Sequence, residues 1–396
     1  MLDLADTMDA FTRPIPWPVL WIGACLGHAF WMTIGLNVLY AWPLRHKLLR
    51  FTRKIDLILI GLGPLLFFAA LDPFVTGQLD WSTLAQRTLS AYTVICFVFG
   101  TVVGPLCQIA YWLRRTAPQQ VAATGEIVDV AERLGHPPAG NKPGVCAWPF
   151  NQVFQVEFTE KTLVLPHIPA AWDGATILHL SDLHFCSSPS RDFHRLVCEQ
   201  AMKNGPPDLV AVTGDIVDSA WHHRWILPIL GRVHGKDGQF AILGNHDHYR
   251  DVTIIRRRLR RAGFRVLVNS WERATLRGEP IVIVGHEGPW QQPNPDLAGA
   301  PTGIFRLLLS HSPDAIDWAR RNRIDLMLAG HVHGGQIRFP LIGAMFCPSR
   351  YSRRFDCGTF WRPPVVMHVS RGLSGQYPLR VLCRPEVTRI TLRKLK

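Results

Sequence analysis

Two stretches of the chain carry no charged side chain, residues 19–42 and 88–113. Each exceeds the roughly 20 residues that an apolar helix needs to cross a hydrocarbon core. A third run, residues 57–71, is shorter and contains Pro64, so alone it fits a buried or re-entrant segment as well as a crossing. The flanking charges decide. Arg45, Lys47, Arg50, Arg53 and Lys54 follow the first run, and Arg114 and Arg115 follow the last. Basic loops favour the cytoplasmic side, and both clusters share that side only if the middle run also crosses. Three spans are expected, at about 19–42, 55–75 and 89–113, within a membrane anchor of residues 1–115. Asp3, Asp6 and Asp9 then lie outside the inner (cell) membrane, and everything after Arg115 is cytoplasmic. A cleaved signal peptide would need a basic start and a shorter apolar core. His28 and Asn37, inside the first run, read as groups that bond neighbouring helices or sit at the interface rather than as a transport path.

Downstream the pattern changes. Residues 116–151 read as a connector, dense in Gly, Pro and Ala between 135 and 144, and a soluble domain is expected over 152–396. From residue 175 one arrangement recurs: a short apolar run, then a polar residue able to bind metal. The runs are 176–180 before Asp182 and His184, 209–212 before Asp215, 240–243 before Asn245, 281–284 before His286, 305–309 before His311, and 325–329 before His331 and His333. Such runs read as strands buried on both faces, and in open α/β architectures sites form beyond the carboxyl ends of the strands. Asp182 and His184 are two apart, as are His331 and His333, so in extended backbone each pair projects to one side. Gly214, Gly244 and Gly330 each precede a ligand and let the backbone turn close to it. Carboxylate, imidazole and amide oxygen without thiolate suit Mn, Fe or Zn.

The whole chain has 43 Lys+Arg against 30 Asp+Glu, a net charge of +13, and a charged fraction of only 18%. Residues 1–115 hold nine basic and six acidic residues, leaving 34 and 24 for residues 116–396. The positive excess therefore belongs mainly to the soluble part. Arg256, Arg257, Arg258, Arg260 and Arg261 lie on a helix with Ile255, Leu259 and Ala262 at helical spacing. Its basic face is either solvated or apposed to anionic lipid; nucleic-acid binding ranks third, because no recognisable nucleic-acid module accompanies the charge. The nine cysteines form no CxxC pair and fit reduced thiols in the cytoplasm.

Five motifs occur in one order: Ser181-Asp182-Leu183-His184, Gly214-Asp215-Ile216-Val217-Asp218, Gly244-Asn245-His246-Asp247, Ser310-His311 and Gly330-His331-Val332-His333. Together they resemble the calcineurin-like metallophosphoesterase superfamily over roughly residues 160–396. The stretch 331–351 and the ending Ser370-Arg371-Gly372-Leu373 with Pro385-Glu386-Val387-Thr388 resemble its bacterial membrane-associated phosphodiesterase branch. The resemblance implies an α/β fold, a four-layer αββα sandwich, here preceded by an N-terminal transmembrane helical region. It also implies two divalent metal ions, with Asp182, His184 and His333 on one, Asn245, His311 and His331 on the other, and Asp215 bridging. That set leaves room for a bridging hydroxide and a substrate oxygen. His246 would protonate the leaving oxygen or stabilise developing charge, and Asp247 would orient its ring. Asp218 reads as a brace for the following helix. His286 and Glu287 could touch substrate or pack a loop, while Arg350, Arg353, Arg354 and Arg371 could meet a phosphate or an anionic headgroup. The expected activity is metal-dependent hydrolysis of a phosphoester or pyrophosphate bond in a lipid-linked or lipid-derived substrate. The alternatives are a phosphodiesterase for soluble nucleotides or nucleic acid, and a non-enzymatic membrane sensor or scaffold with a vestigial site.

Overall fold

The computed structural model describes residues 16–44, 46–76 and 84–395; the aspartates expected outside the membrane and Arg45 fall beyond these. The chain divides into two compact units, Met1–Leu39 with Leu44–Arg114, and Tyr40–Pro43 with Arg115–Lys396.

The first unit is helical: α1 (Trp17–Tyr40), α2 (His46–Thr76) and α3 (Leu84–Trp112), the last with a wider turn at Phe99–Val103. Among the described residues α1 and α3 are long and apolar enough to cross a membrane, and the expected middle span lies inside α2. Polar groups tie the three together. His28 donates through Nε2 to the Leu59 carbonyl (3.0 Å) and accepts from the Tyr92 hydroxyl at Nδ1 (2.7 Å), and the Trp21 indole donates to the Pro64 carbonyl (2.9 Å). At Gly27 a Cβ would stand 1.7 Å from the Cys96 carbonyl oxygen, so α1 and α3 approach as only a glycine permits.

The second unit contains fifteen strands: β1 (Gln120–Asp129), β2 (Gln155–Leu165), β3 (Thr176–Leu180), β4 (Leu209–Thr213), β5 (Gly238–Ile242), β6 (Arg265–Val266), β7 (Trp271–Leu276), β8 (Glu279–His286), β9 (Arg306–Ser310), β10 (Leu326–Ala329), β11 (Arg338–Phe339), β12 (Gly343–Ala344), β13 (Gly358–Arg362), β14 (Val365–Val369) and β15 (Glu386–Lys394). One sheet runs β1-β2-β15-β3-β4-β5-β6, the other β13-β14-β10-β9-β8-β7, and β11 pairs with β12 as a small hairpin. The stretch read as a connector thus supplies a full strand, β1, which pairs antiparallel with β2.

Alternate residues of each strand enter different cores. Ile177, Leu209, Ala211 and Ile242 of the first sheet meet Ile281, Ile283, Leu307 and Leu328 of the second. Leu178, Leu180, Val210 and Val212 face outward onto α4 (Arg191–Ala201) and α5 (Val252–Arg261), while Leu308, Met327 and Met367 face α6 (Ile316–Arg321). This is helix, sheet, sheet, helix, the expected four layers. Strands buried on both sides explain the continuous apolar runs, each enclosed Val, Leu or Ile contributing roughly 1.5–3 kcal/mol. β3, β4 and β5 are parallel, as are β8, β9, β10 and β14. Five of these strands end beside one another and deliver every candidate ligand.

Candidate metal centre

Asp182 and His184 follow β3, Asp215 follows β4, Asn245 begins the turn after β5, His311 follows β9, and His331 and His333 follow β10. Asp182, His184, Asp215, His331 and His333 all have positive φ, between 45° and 71°. Left-handed backbone at non-glycine residues is a cost that the surrounding hydrogen bonds sustain. The Asp182 amide donates to the Gly214 carbonyl (3.1 Å), the His184 amide to the Asp215 carbonyl (2.8 Å), and the Asp182 carboxylate accepts from the His331 amide (3.0 Å). At Gly330 a Cβ would lie 1.9 Å from Ser181 Oγ and 2.3 Å from Asp182 Oδ2, so a side chain there would displace a ligand.

The ligand atoms form two groups that share one carboxylate. Asp182, His184, Asp215 and His333 bring their donor atoms within 4.8 Å of one another, as do Asp215, His311 and His331. Asn245 joins the second group, with Oδ1 3.0 Å from His311 Nε2. In the neutral ring of His311, Nδ1 donates to the Thr213 carbonyl (2.8 Å) and Nε2 carries a lone pair, and that atom faces Asn245 Oδ1, Asp215 Oδ1 (3.3 Å) and His331 Nδ1 (3.1 Å). His184 donates through Nδ1 to Asp218 (3.0 Å) and turns Nε2 toward His333 Nε2 (3.3 Å) and Asp215 Oδ2 (3.5 Å). His331 Nε2 and His333 Nδ1 are buried with no hydrogen-bond partner among the described residues. Lone pairs therefore converge on a carboxylate without enough donors between them, an arrangement that fits bound cations.

Protonation follows the same field. Burial raises Asp215, but the imidazoles of His311, His246 and His184 outweigh it and hold the carboxyl well below its usual range. Burial lowers His311, and Asp215 reverses this, taking it up to about 9, so Nε2 facing Asp215 carries a proton or, in its place, a cation. His331 and His333 are held well below the ordinary imidazole value, by burial first and then by neighbouring histidines. They are neutral and ready to act as ligands.

His246 lies at the rim. Its Nδ1 bonds Asp218 Oδ1, its Nε2 is 4.0 Å from Asp215 Oδ2, and its ring meets His184 edge-on at 4.7 Å. Burial opposes the imidazolium, but Asp218 and Asp215 prevail and raise His246 to about 10. Asp247, expected to orient the His246 ring, accepts from the amides of Gly244, Ile216 and Val217 at 2.9–3.1 Å, stitching the Asp215 turn to the Asn245 turn. Asp218 holds the ring, and the same carboxylate also fixes His184. Its distance of three residues beyond Asp215 is the one signal that pointed to it, since both leave the same strand end.

Other candidates have different employment. Glu287 accepts from the Leu243 amide (2.8 Å) and from Arg256 (2.6 Å), so it braces the end of β5, and Arg256 turns inward from its basic helix. Arg371 bonds Glu386 and Glu157 (3.2 and 3.0 Å), and Arg350 bonds the Asp314 carbonyl (2.9 Å). His286 is buried against Trp318. Sequence reasoning missed Trp290, whose ring lies 4.9 Å from that of His331 and 5.4 Å from that of His311, an aromatic wall beside the second group. Nothing in the spacing of its proline-rich loop marks it. The nine cysteines are thiols rather than disulfides.

Comparison with known proteins agrees with this geometry. Residues 175–335 match the family model for calcineurin-like phosphoesterases. The metallophosphoesterase YkuE of Bacillus subtilis is 32% identical over 247 residues, 60% of this chain and 86% of that protein. The phosphodiesterase YaeI of Escherichia coli is 32% identical over 224 residues, 54% of this chain and 81% of that one. A transmembrane protein with metallophosphoesterase domain from Danio rerio is 29% identical over 248 residues, 57% of this chain and 55% of its own length.

Proposed function

This chain belongs to the calcineurin-like phosphoesterase family and is a metal-dependent phosphoesterase, and on that footing we propose that it is a membrane-anchored enzyme with two metal ions acting on a lipid-linked or lipid-derived phosphate. Asp182, His184 and His333 would hold one ion, Asn245, His311 and His331 the other, and Asp215 would serve both. The observation that carries this reading is the sharing of Asp215 by two groups of buried, donor-poor ligands. When bound, two divalent cations acidify water and neutralise charge on the phosphoryl oxygens.

The chain's own residues do the rest. His246 holds a proton on Nε2, directed toward Asp215, because Asp218 occupies Nδ1; it delivers that proton to the leaving oxygen. Asp218 keeps the imidazolium charged and correctly turned. Asp247 fixes the two turns that carry Asp215 and Asn245, and Trp290 shields His311 and His331 from water on one side.

The membrane part of the reading rests on α1 and α3, on the length of α2 around residues 57–71, and on the likeness to a relative named as a transmembrane protein. With α2 also crossing, Lys47, Arg53 and Lys54 share the cytoplasmic side with Arg114 and Arg115, and the catalytic domain faces the cytoplasm. The test is turnover by metal-loaded protein in detergent on lipid-linked phosphates against soluble diesters. Preference for the former is expected; preference for nucleotides or nucleic acid would favour the phosphodiesterase suggested by the name of YaeI, and no bound metal with no hydrolysis would favour a scaffold.

A further inference from the structure

We propose that the hairpin of β11 and β12 is a membrane-contacting element that seats the catalytic domain on the headgroup–acyl boundary of an anionic bilayer. It deepens the preceding reading and rests on it in one respect, the membrane location of the helical unit.

The hairpin inverts the usual composition of a surface turn. Within nine residues Ile337, Phe339, Leu341, Ile342 and Met345 are all exposed, Leu341 to 82%. Clustered apolar exposure of this kind marks a contact surface rather than ordinary scatter. The segment that carries it is basic. From His331 to Phe355 the sequence contains no Asp or Glu but includes Arg338, Arg350, Arg353 and Arg354. Arg353 donates to the Ile342 carbonyl at the turn (2.9 Å), and Arg350 and Arg354 are exposed. An apolar tip bordered by arginines matches a surface that is oily a few ångström below a layer of phosphates. A soluble acidic partner would account for the arginines but not for Leu341.

The hairpin is also rigidly joined to the metal centre. Arg338 donates from Nη1 to the Gly334 carbonyl (2.9 Å) and to Asp356 (2.8 Å), and its amide donates to the Val381 carbonyl (2.9 Å). Gly334 follows the ligand His333 directly. Leu341 is eight positions beyond His333, at most about 28 Å of chain, so a tip held at the boundary keeps His333 within that distance of the headgroups. Residues 113–119, which join α3 to β1, span no more than about 25 Å. A bilayer crossed by α3 is therefore within reach.

The experiment uses full-length, metal-loaded protein reconstituted in vesicles of phosphatidylethanolamine and phosphatidylglycerol. Leu341 is replaced by the photo-crosslinking residue p-benzoylphenylalanine, and Lys236, an exposed residue at the opposite, amino-terminal end of β5, is replaced likewise as a control. A lipid adduct at 341 and none at 236 is expected. An adduct at 341 to protein alone, whether a second copy or another segment, would overturn the proposal, as would no adduct or equal lipid labelling at both positions. In parallel, Phe339→Glu with Leu341→Glu should lower turnover of a vesicle-borne phosphodiester about tenfold and leave a soluble aryl phosphodiester within about twofold. Equal loss on both substrates would count against a membrane role. A lipid adduct without hydrolysis of any lipid phosphate would remove the substrate reading and leave the hairpin standing; hydrolysis without the adduct would do the reverse.

Discussion

Two buried polar clusters lie within the catalytic domain, and they are built on opposite principles. The first is the ligand set around Asp215. The second lies along β2 and β15, where Lys161 bonds Glu386 (3.0 Å), Arg371 bonds Glu386 and Glu157, and Thr159 donates to Glu386 (3.0 Å). In the second cluster every charge has its opposite. Burial alone would raise Glu386, but Lys161 and Arg371 hold it well below the usual carboxyl range, and the nearby His179 and His368 are kept neutral, primarily by burial. In the first cluster the donor atoms of Asp182, His184, His311, His331 and His333 gather instead around one shared carboxylate, Asp215. A cluster whose charges are matched by its own side chains serves the fold, whereas one that gathers imidazoles and carboxylates around a single point suits bound cations.

If the contrast is correct, damage to the two clusters separates chemistry from stability. The largest effect is expected from Asp215→Asn, which should reduce turnover to background and lower bound metal, measured by elemental analysis, while the protein stays folded. His246→Ala should cost about 10³-fold on a phosphodiester with an alkoxide leaving group and much less with nitrophenolate, because only the first needs a proton. Equal losses on both would break the assignment of His246 as acid. Lys161→Met leaves Glu386 buried with one cation fewer and should cost about 3 kcal/mol, read as a fall in the denaturant midpoint, with metal content and turnover per folded molecule unchanged. Asp218→Asn should slow turnover by about 10–100-fold and shift the basic limb of its pH profile downward, since His246 loses the carboxylate that most raises it.

The smallest effect tests a third kind of buried group. His194 is enclosed by Phe185, Phe193 and Trp225, with no hydrogen-bond partner on either nitrogen among the described residues. Burial lowers it from 6.5 to about 3. The unfolded chain therefore binds a proton that the folded chain refuses between these values, and stability falls as pH drops below 6.5. His194→Phe should stabilise by about 1 kcal/mol and flatten that acid limb in thermal unfolding followed from pH 7 to 5.

The strand-end pattern was legible because strands buried on both faces leave long apolar runs, and because metal chemistry restricts the residue types that follow them. The pairing of carboxylates with histidines was not. Asp218 and Asp247 both neighbour candidate site residues, and only the path of the backbone shows that Asp247 is occupied by three amides. β1 escaped because it lies at a sheet edge, mostly exposed, with neither alternation nor a continuous apolar run. Arg256 read as part of a basic face because sequence spacing cannot show that one of five arginines bends inward to a glutamate thirty-one residues away.

The position of β15 bears on how the enzyme is made. It lies between β2 and β3, parallel to one and antiparallel to the other, and it carries Glu386, yet it is synthesised after all seven ligands. A nascent chain can thus display its apolar helices and complete its candidate metal-binding motifs while the sheet beneath them is still open. Closure comes last, so the catalytic domain finishes folding only after β15 has been made.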